Sequence, residues 1–97
     1  MARIEVLNPV ASSAEFKVDP AKRLDALEGK TIGLYWNMKS GGDMALARIG
    51  RRLQERFPSI RLKSWTGEVG TIMRHATNEQ LDAMGRECDA VVGTSAD

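Results

Sequence analysis

Blocks of apolar and polar residues follow one another from residue 30 onward, and each block has the period of one secondary-structure element. Thr31–Trp36 is a nearly continuous apolar run rich in β-branched and aromatic residues, which is typical of a strand covered on both faces. Ser40 or Asp43 is placed to cap the start of a helix that follows it. Four apolar residues then recur every three or four positions, as on the buried face of an amphipathic helix of about four turns: Leu46, Ile49, Leu53 and Phe57.

Two further strands and a second helix are predicted after residue 58. Residues 60–64 alternate between apolar and polar, which indicates a half-covered strand nearer an edge of the sheet. Residues 77–80 have the sequence of a capping box, which begins a helix. Ala90–Thr94 is another short strand of the buried type. The second helix is expected to bury one stripe made of Leu81, Met84 and Cys88.

The order strand, helix, strand, helix, strand predicts parallel strands joined by right-handed crossovers. We therefore expect an α/β fold over residues 30–97, with a partial parallel sheet in three layers of the Rossmann or flavodoxin-like kind. Residues 1–29 are predicted to be an extended N-terminal arm and connector. Within this arm, residues 4–7 form a short apolar run that could be an edge strand, because Pro9 ends pairing there.

Composition narrows the classes of function. The 97 residues are 42% hydrophobic and 28% charged, as in one globular domain. The net charge of +1 gives no electrostatic reason to expect nucleic acid or an anionic membrane as a partner. Cys88 is the only cysteine, and the sequence contains neither the apolar core of a signal peptide nor a run of about 20 apolar residues. These features predict a soluble protein of a reducing compartment, the cytoplasm.

The candidate binding site follows from the predicted topology. In open parallel sheets, ligands bind beyond the carboxyl ends of the strands. Gly41 and Gly42 would let the backbone approach a ligand, and the free amides of a helix start favour an anion. Lys39 adds a positive charge there, whereas Asp43 would repel phosphate. A plain strand-to-helix turn is the alternative interpretation of the two glycines. The predicted substrate-binding residues are Asn37, Lys39, Ser40, Gly41, Gly42, Thr66, Thr94 and Ser95.

Other reactive residue types give weaker signals. Trp65 could line a pocket or simply close the end of the sheet. His75 has no second cluster of ligands at metal spacing, so neither a metal nor a cofactor is predicted. Cys88 stands on an apolar stripe, which favours a packed and inert thiol. The sequence therefore assigns no catalytic residue.

Two strand-and-loop stretches carry a family resemblance. They are residues 33–37 (Gly-Leu-Tyr-Trp-Asn) running into 39–43 (Lys-Ser-Gly-Gly-Asp), and residues 89–97 (Asp-Ala-Val-Val-Gly-Thr-Ser-Ala-Asp). Together they resemble the amino-terminal part of the UGSC-motif proteins, a family named for selenocysteine (or cysteine)-Gly-Ser-Cys. The resemblance extends over residues 4–97. In that family the motif directly follows the strand that ends in a Gly-Thr-(Ser/Gly)-like turn, so it would begin here after Asp97.

The resemblance implies a truncated selenoprotein, because the selenocysteine codon UGA is taken as a stop in gene-calling. Thr94 and Ser95 would then form the turn that presents the absent nucleophile. A selenol or thiolate with a second thiol three positions on suggests nucleophilic or redox chemistry. A loop and helix normally follow such a strand, so the domain is expected to be incomplete, with the face under Val91 and Val92 uncovered.

Three hypotheses remain open from the sequence. The first is an incomplete enzyme domain of the thiol or selenol type that acts on a small anionic substrate. The second is a complete small module or subunit that recognises an anion through residues 39–42 and buries its open sheet edge against a partner chain or another copy of itself. The third is a fragment without function.

Overall fold

The computed structural model describes residues 2–67 and 76–95. Within these ranges the strands form one parallel sheet in the order β2-β1-β3, which confirms the predicted α/β fold. The predicted order of strands and helices is also confirmed. The elements are β1 (Thr31–Trp36), α1 (Gly42–Arg56), β2 (Arg61–Thr66), α2 (Asn78–Glu87) and β3 (Ala90–Thr94).

The central strand, β1, fixes the register of the sheet. Ile32 pairs with Leu62 of β2 on one side and with Ala90 of β3 on the other. At the carboxyl end of the sheet, Trp36 stands in the same way between Thr66 and Thr94. All three strands therefore end at one level, where the loops that follow them meet.

The hydrophobic core lies between the sheet and α1. Ile32 and Leu34 of β1 are buried with Leu46 of α1 and with Ile60, which directly precedes β2. Gly50 lets α1 come close to the sheet, because a Cβ there would stand 3.0 Å from Leu62 Cδ1. Three residues of the apolar stripe predicted for this helix face the sheet, with Leu46 buried and with Leu53 and Phe57 half-buried against the core, whereas Ile49 is half-buried outside this cluster.

The second helix, α2, covers the opposite face of the sheet less completely. Met84 is buried there, and the Cys88 thiol packs against Gly33, where a Cβ would stand 3.0 Å from Sγ. Leu81 was expected in the buried stripe, but 53% of its surface is exposed. That expectation was wrong, because Leu81 lies beside an open groove between α2 and β3, whereas the end of α2 contacts β2 through an ion pair of 2.8 Å between Lys63 Nζ and Glu87 Oε2. Val91 of β3 is left 45% exposed on this face.

The two helices begin in different ways. The capping box of α2 is confirmed: Gln80 N donates to Thr77 Oγ1 and Thr77 N donates to Gln80 Oε1, both at 3.2 Å. At α1, neither Ser40 nor Asp43 caps the helix, so that prediction was wrong. The N-cap residue is Gly41 with φ of 93°, and within the described segments no side chain makes a capping hydrogen bond to the amides at this helix start. The chain enters α1 through a left-handed backbone turn, which glycine adopts without strain.

The described part of the N-terminal arm, residues 2–29, contains no helix or strand. The prediction of an edge strand over residues 4–7 was wrong, since this segment pairs with no strand of the sheet and its apolar side chains are exposed. β2 also begins one residue and ends two residues later than expected. The connection that contains His75 lies largely outside the described ranges. Among the helices that are described, none is long and apolar enough to cross a membrane.

Candidate functional site

The order of the strands places a crevice between β1 and β3. The chain leaves β1 through α1 to reach β2 on one side, and it returns through α2 to β3 on the other side. At such a reversal the connections of neighbouring strands turn to opposite faces, and ligands of doubly wound folds bind in the gap. The edge beyond Trp36 and Thr94 is therefore the candidate site.

Trp36 organises this edge with both its side chain and its backbone. Its indole Nε1 donates to the carbonyl oxygen of Lys39 at 2.7 Å. Its own carbonyl accepts from Gly67 N at 2.8 Å, which holds the end of β2. The sequence analysis placed Trp36 only within a strand. Its position as the last residue of a buried strand was the signal that could have indicated a role at the site.

The loop between β1 and α1 is a tight backbone turn. Asn37 Oδ1 accepts from Lys39 N at 3.2 Å, and the Lys39 carbonyl accepts from Gly42 N at 3.3 Å. Met38 has a positive φ of 69° and Gly41 one of 93°. A positive φ is uncommon outside glycine, and it marks a backbone shape that the surrounding contacts hold in place. The loop is thus a defined turn, with Ser40 and Gly41 exposed on it.

Gly42 joins the start of α1 to the end of β3. Thr94 Oγ1 donates to the Gly42 carbonyl at 3.3 Å. A Cβ at position 42 would lie 2.8 Å from Thr94 Oγ1, closer than real Cβ atoms come, and 3.0 Å from Trp36 Cδ1, which is a tight contact. The two glycines therefore differ in role, since Gly41 supplies the positive φ and Gly42 the close approach.

The predicted residues lie at one edge, and the structure shows what several of them contact. Asn37, Lys39, Gly42 and Thr94 are linked to one another or to Trp36 by the bonds described above. Thr66 neighbours Trp36, and its carbonyl accepts from Gln80 Nε2 at 2.8 Å, a contact that the sequence analysis did not foresee. Ser95 follows β3 and is exposed at the same edge.

The electrostatics of the edge favour an anion, with one opposing charge. The amino end of a helix carries a partial positive charge and free backbone N–H groups, and at α1 no side chain caps them. Lys39 stands in the loop just before α1, whereas Asp43 places a carboxylate in the first turn. Across the segments that are described, no three His, Cys, Asp or Glu side chains come together as metal ligands would. The edge thus combines an uncapped helix start with one lysine and one carboxylate.

The face of the sheet that α2 covers holds the Tyr35 hydroxyl and the Cys88 thiol. Burial raises the pKa of the Tyr35 hydroxyl above its ordinary value of 10.0. Cys88 is half-buried against Gly33 on this same face, away from the loop of residues 37–41. This packing is what the sequence analysis predicted for the thiol.

Comparison with known proteins identifies the family. A family model described as the UGSC family matches residues 5–97, nearly the whole chain. The chain belongs to the UGSC family. No curated protein and no solved structure gives a significant match. The family match includes both the loop before α1 and the end of β3, the two stretches on which the resemblance in sequence was based.

Proposed function

We propose that this UGSC-family chain carries the anion-binding half of a thiol- or selenol-dependent active site at the crevice between β1 and β3. The observation that supports the proposal is the start of α1, which has no side-chain cap and packs through Gly42 against Thr94 at the end of β3. A small anionic substrate would lie against this helix start. The residues proposed to line it are Asn37, Lys39, Ser40, Gly41, Gly42, Thr66, Thr94 and Ser95.

The proposed nucleophile is the selenocysteine or cysteine of the family motif, carried by residues that follow β3. Helix amino ends and nearby cations lower the pKa of a thiol and stabilise its reactive anion. Three residues of extended chain span at most about 10 Å. A group only a few positions beyond Ser95 would therefore remain within reach of the amides of α1, because the Thr94–Gly42 hydrogen bond holds the end of β3 beside them.

The direct test of the nucleophile begins with the nucleotides after the Asp97 codon. We expect UGA, followed in frame by codons for Gly-Ser-Cys and by a stem-loop. A different stop codon, or no open frame beyond it, would contradict the selenocysteine part of the proposal.

The restored chain then tests reactivity, in a Cys88→Ala background so that only motif groups react. With cysteine in place of selenocysteine at the first motif position, the rate of alkylation should follow a titration midpoint well below the value of about 8.5 for an ordinary cysteine. A midpoint at or above that value would contradict activation by the start of α1. A Cys88-only chain is the control, and it should react slowly because its thiol is half-buried.

A second candidate is a small anion-binding module that works with these 97 residues and pairs with a partner. The same helix start supports this candidate. The chain itself contains every group that would contact the anion: the amides of α1, Lys39 and the turn of residues 37–41. A monodisperse, folded chain whose melting temperature rises with phosphate or a carboxylate would favour this candidate. An aggregating or molten chain would count against it.

A further inference from the structure

An open apolar groove lies between α2 and β3 on one face of the sheet, with a volume of about 770 Å³. Two of its side chains are substantially exposed, Leu81 at 53% and Val91 at 45%. On the other face of the same strand, Val92 is half-buried against the core beneath α1. β3 is therefore covered on one face and open on the other. The α2–β3 groove is lined by Tyr35, Leu81, Met84, Gly85, Cys88 and Val91.

The two outer strands of the sheet differ in the side chains that they carry. β2 contains Arg61 and Lys63, both exposed, and charged side chains are one way in which natural proteins protect a free sheet edge. β3 has the sequence Ala-Val-Val-Gly-Thr and contains no charged residue. Uncharged strands rich in valine belong to the interior of parallel sheets. The composition therefore marks β2 as a true edge and β3 as a strand that lacks a neighbour.

The two connections already present in the sheet have the same hand. α1 lies on the face of Ile32 and Leu34 and leads from β1 to β2. α2 lies on the face of Gly33 and leads in the opposite direction, from β2 past β1 to β3. Changing both the face and the direction preserves the hand of a crossover, and about 98% of crossovers between parallel strands are right-handed. A connection from β3 to a strand at its free edge continues in the direction taken by α2, so the same hand places its helix on the α2 face.

We infer that the α2–β3 groove receives a helix formed by residues that follow Asp97 in the full-length protein, and that this helix leads to a fourth strand at the free edge of β3. The open face and the uncharged edge lie on the one side of the sheet to which the hand of the crossovers directs the chain. β3 has 5 residues and is about 17 Å long at about 3.3 Å per residue. A helix of about 11 residues, with a rise of about 1.5 Å per residue, spans this length beside α2. The inference shares with the proposed function only the continuation of the chain past Asp97, and it does not depend on anion binding or on the chemistry of the motif.

The reading frame beyond the motif gives the first test. We expect it to encode an amphipathic stretch of roughly 10–15 residues, with apolar residues every three or four positions, followed by a short apolar run of the strand type. A frame that ends within the motif, or one that continues without this pattern, would overturn the inference. Either result would leave binding of an anion by the 97-residue chain unaffected, so the two proposals can fail separately.

Cysteine protection measures the cover directly, in the full-length chain with the motif's selenocysteine and cysteine changed to serine and with Cys88→Ala. Leu81→Cys places a thiol in the groove, and Asp82→Cys places one at the next position of α2, outside the groove lining. Both positions are exposed in the 97-residue chain, so their thiols should react with iodoacetamide at similar rates there. In the full-length chain, Leu81→Cys should react more slowly than Asp82→Cys by about tenfold or more, because the docked helix must open before the thiol can react.

The natural Cys88 is a second reporter that leaves the groove unaltered. It is half-buried in the groove lining, and with only the motif residues replaced it should react more slowly in the full-length chain than in the 97-residue chain. Equal rates for Cys88 in the two chains, or for Leu81→Cys and Asp82→Cys in the full-length chain, would show that the groove stays open and would overturn the inference.

Two further results would also overturn it by naming another occupant or another face. Protection of the groove that is lost on dilution would show that a second copy of the chain covers it. Protection of Arg52→Cys, on the exposed surface of α1, in place of Leu81→Cys would put the added helix on the opposite face of the sheet.

Discussion

Gly42 stands at the start of α1, and because it has no side chain, Thr94 and Trp36 can approach it closely. Gly42 packs against Thr94 at the end of β3 and against the indole of Trp36 at the end of β1. The indole in turn bonds the Lys39 carbonyl, so three segments of the chain meet around Gly42. Adding one methyl group at this position should therefore disturb both the packing of the fold and the geometry of the candidate site.

Gly42→Ala should destabilise the protein by about 1–3 kcal/mol, the usual cost of overpacking a close contact. The matched control is Gly85→Ala in α2, where a Cβ meets nothing within 4 Å. That substitution should stabilise the protein by about 0.5–1 kcal/mol, because alanine favours a helix interior. Urea unfolding of both variants measures the difference, and equal effects would contradict the packing described for Gly42.

Tyr35 is the only tyrosine of the chain, so its ionisation can be followed by absorbance near 295 nm. Burial disfavours the phenolate, and the midpoint in the folded protein should lie above 10.0. Because the folded state holds this proton more tightly than the unfolded state, the stability it contributes is complete below pH 10 and is lost as pH rises through the folded pKa. A midpoint at or below 10.0 would show that the hydroxyl is not buried.

Asp43 is the one residue of the α1 start that opposes an anion. Asp43→Asn should strengthen binding of inorganic phosphate about twofold to fivefold, which corresponds to 0.3–1 kcal/mol for a charge in the first turn. Isothermal titration of phosphate measures the change. Asp82→Asn in α2 removes the same charge away from this edge and should leave the affinity unchanged; an equal gain would indicate a general effect of net charge.

The two helices show how element boundaries can arise from side chains or from backbone. The start of α2 is set by the reciprocal bonds of Thr77 and Gln80. The start of α1 is set by the positive φ of Gly41 and by a turn that Asn37 stabilises. At α2 a side chain bonds the helix amides, whereas at α1 no side chain does so and the first amide, Gly42 N, donates to the Lys39 carbonyl. The proposed anion site therefore rests on the start of α1 and not on that of α2.

Thr77→Ala should cost about 1 kcal/mol of stability, since it removes the capping oxygen of α2. Thr77→Ser keeps that oxygen and should retain most of the stability. Thermal unfolding followed by circular dichroism compares the two variants. If serine and alanine destabilise equally, the capping box does not hold α2.

The elements that were predicted from sequence are those with a strong local pattern. The strands and both helices follow from apolar periodicity, and the cap of α2 follows from a four-residue motif. The cap of α1 was wrong because Ser40 and Asp43 have suitable side chains, but the backbone conformation of Gly41 determines the entry. The burial of Leu81 was wrong because it depends on where α2 rests across the sheet, and the local pattern does not contain that information.

At the scale of the whole molecule, parallel topology accounts for most of what was predicted about the site. Once the strands are parallel, the loop of residues 37–42 and the ends of β2 and β3 must meet at one edge. Topology could not reveal the contacts of Trp36 or the Thr94–Gly42 bond, since both depend on the distance between α1 and β3. It also could not reveal the open groove between α2 and β3, because that groove depends on how α2 rests on the sheet.

The placement of the binding site at this edge is tested most directly by titrating inorganic phosphate into the isotope-labelled chain and following its amide resonances by NMR. We expect saturable shifts that are largest at Gly41, Gly42 and Thr94 and at the indole N–H of Trp36. Shifts centred instead on the arginines of the outer face of α1 (Arg48, Arg51 and Arg52), or no saturable shifts at all, would contradict this placement.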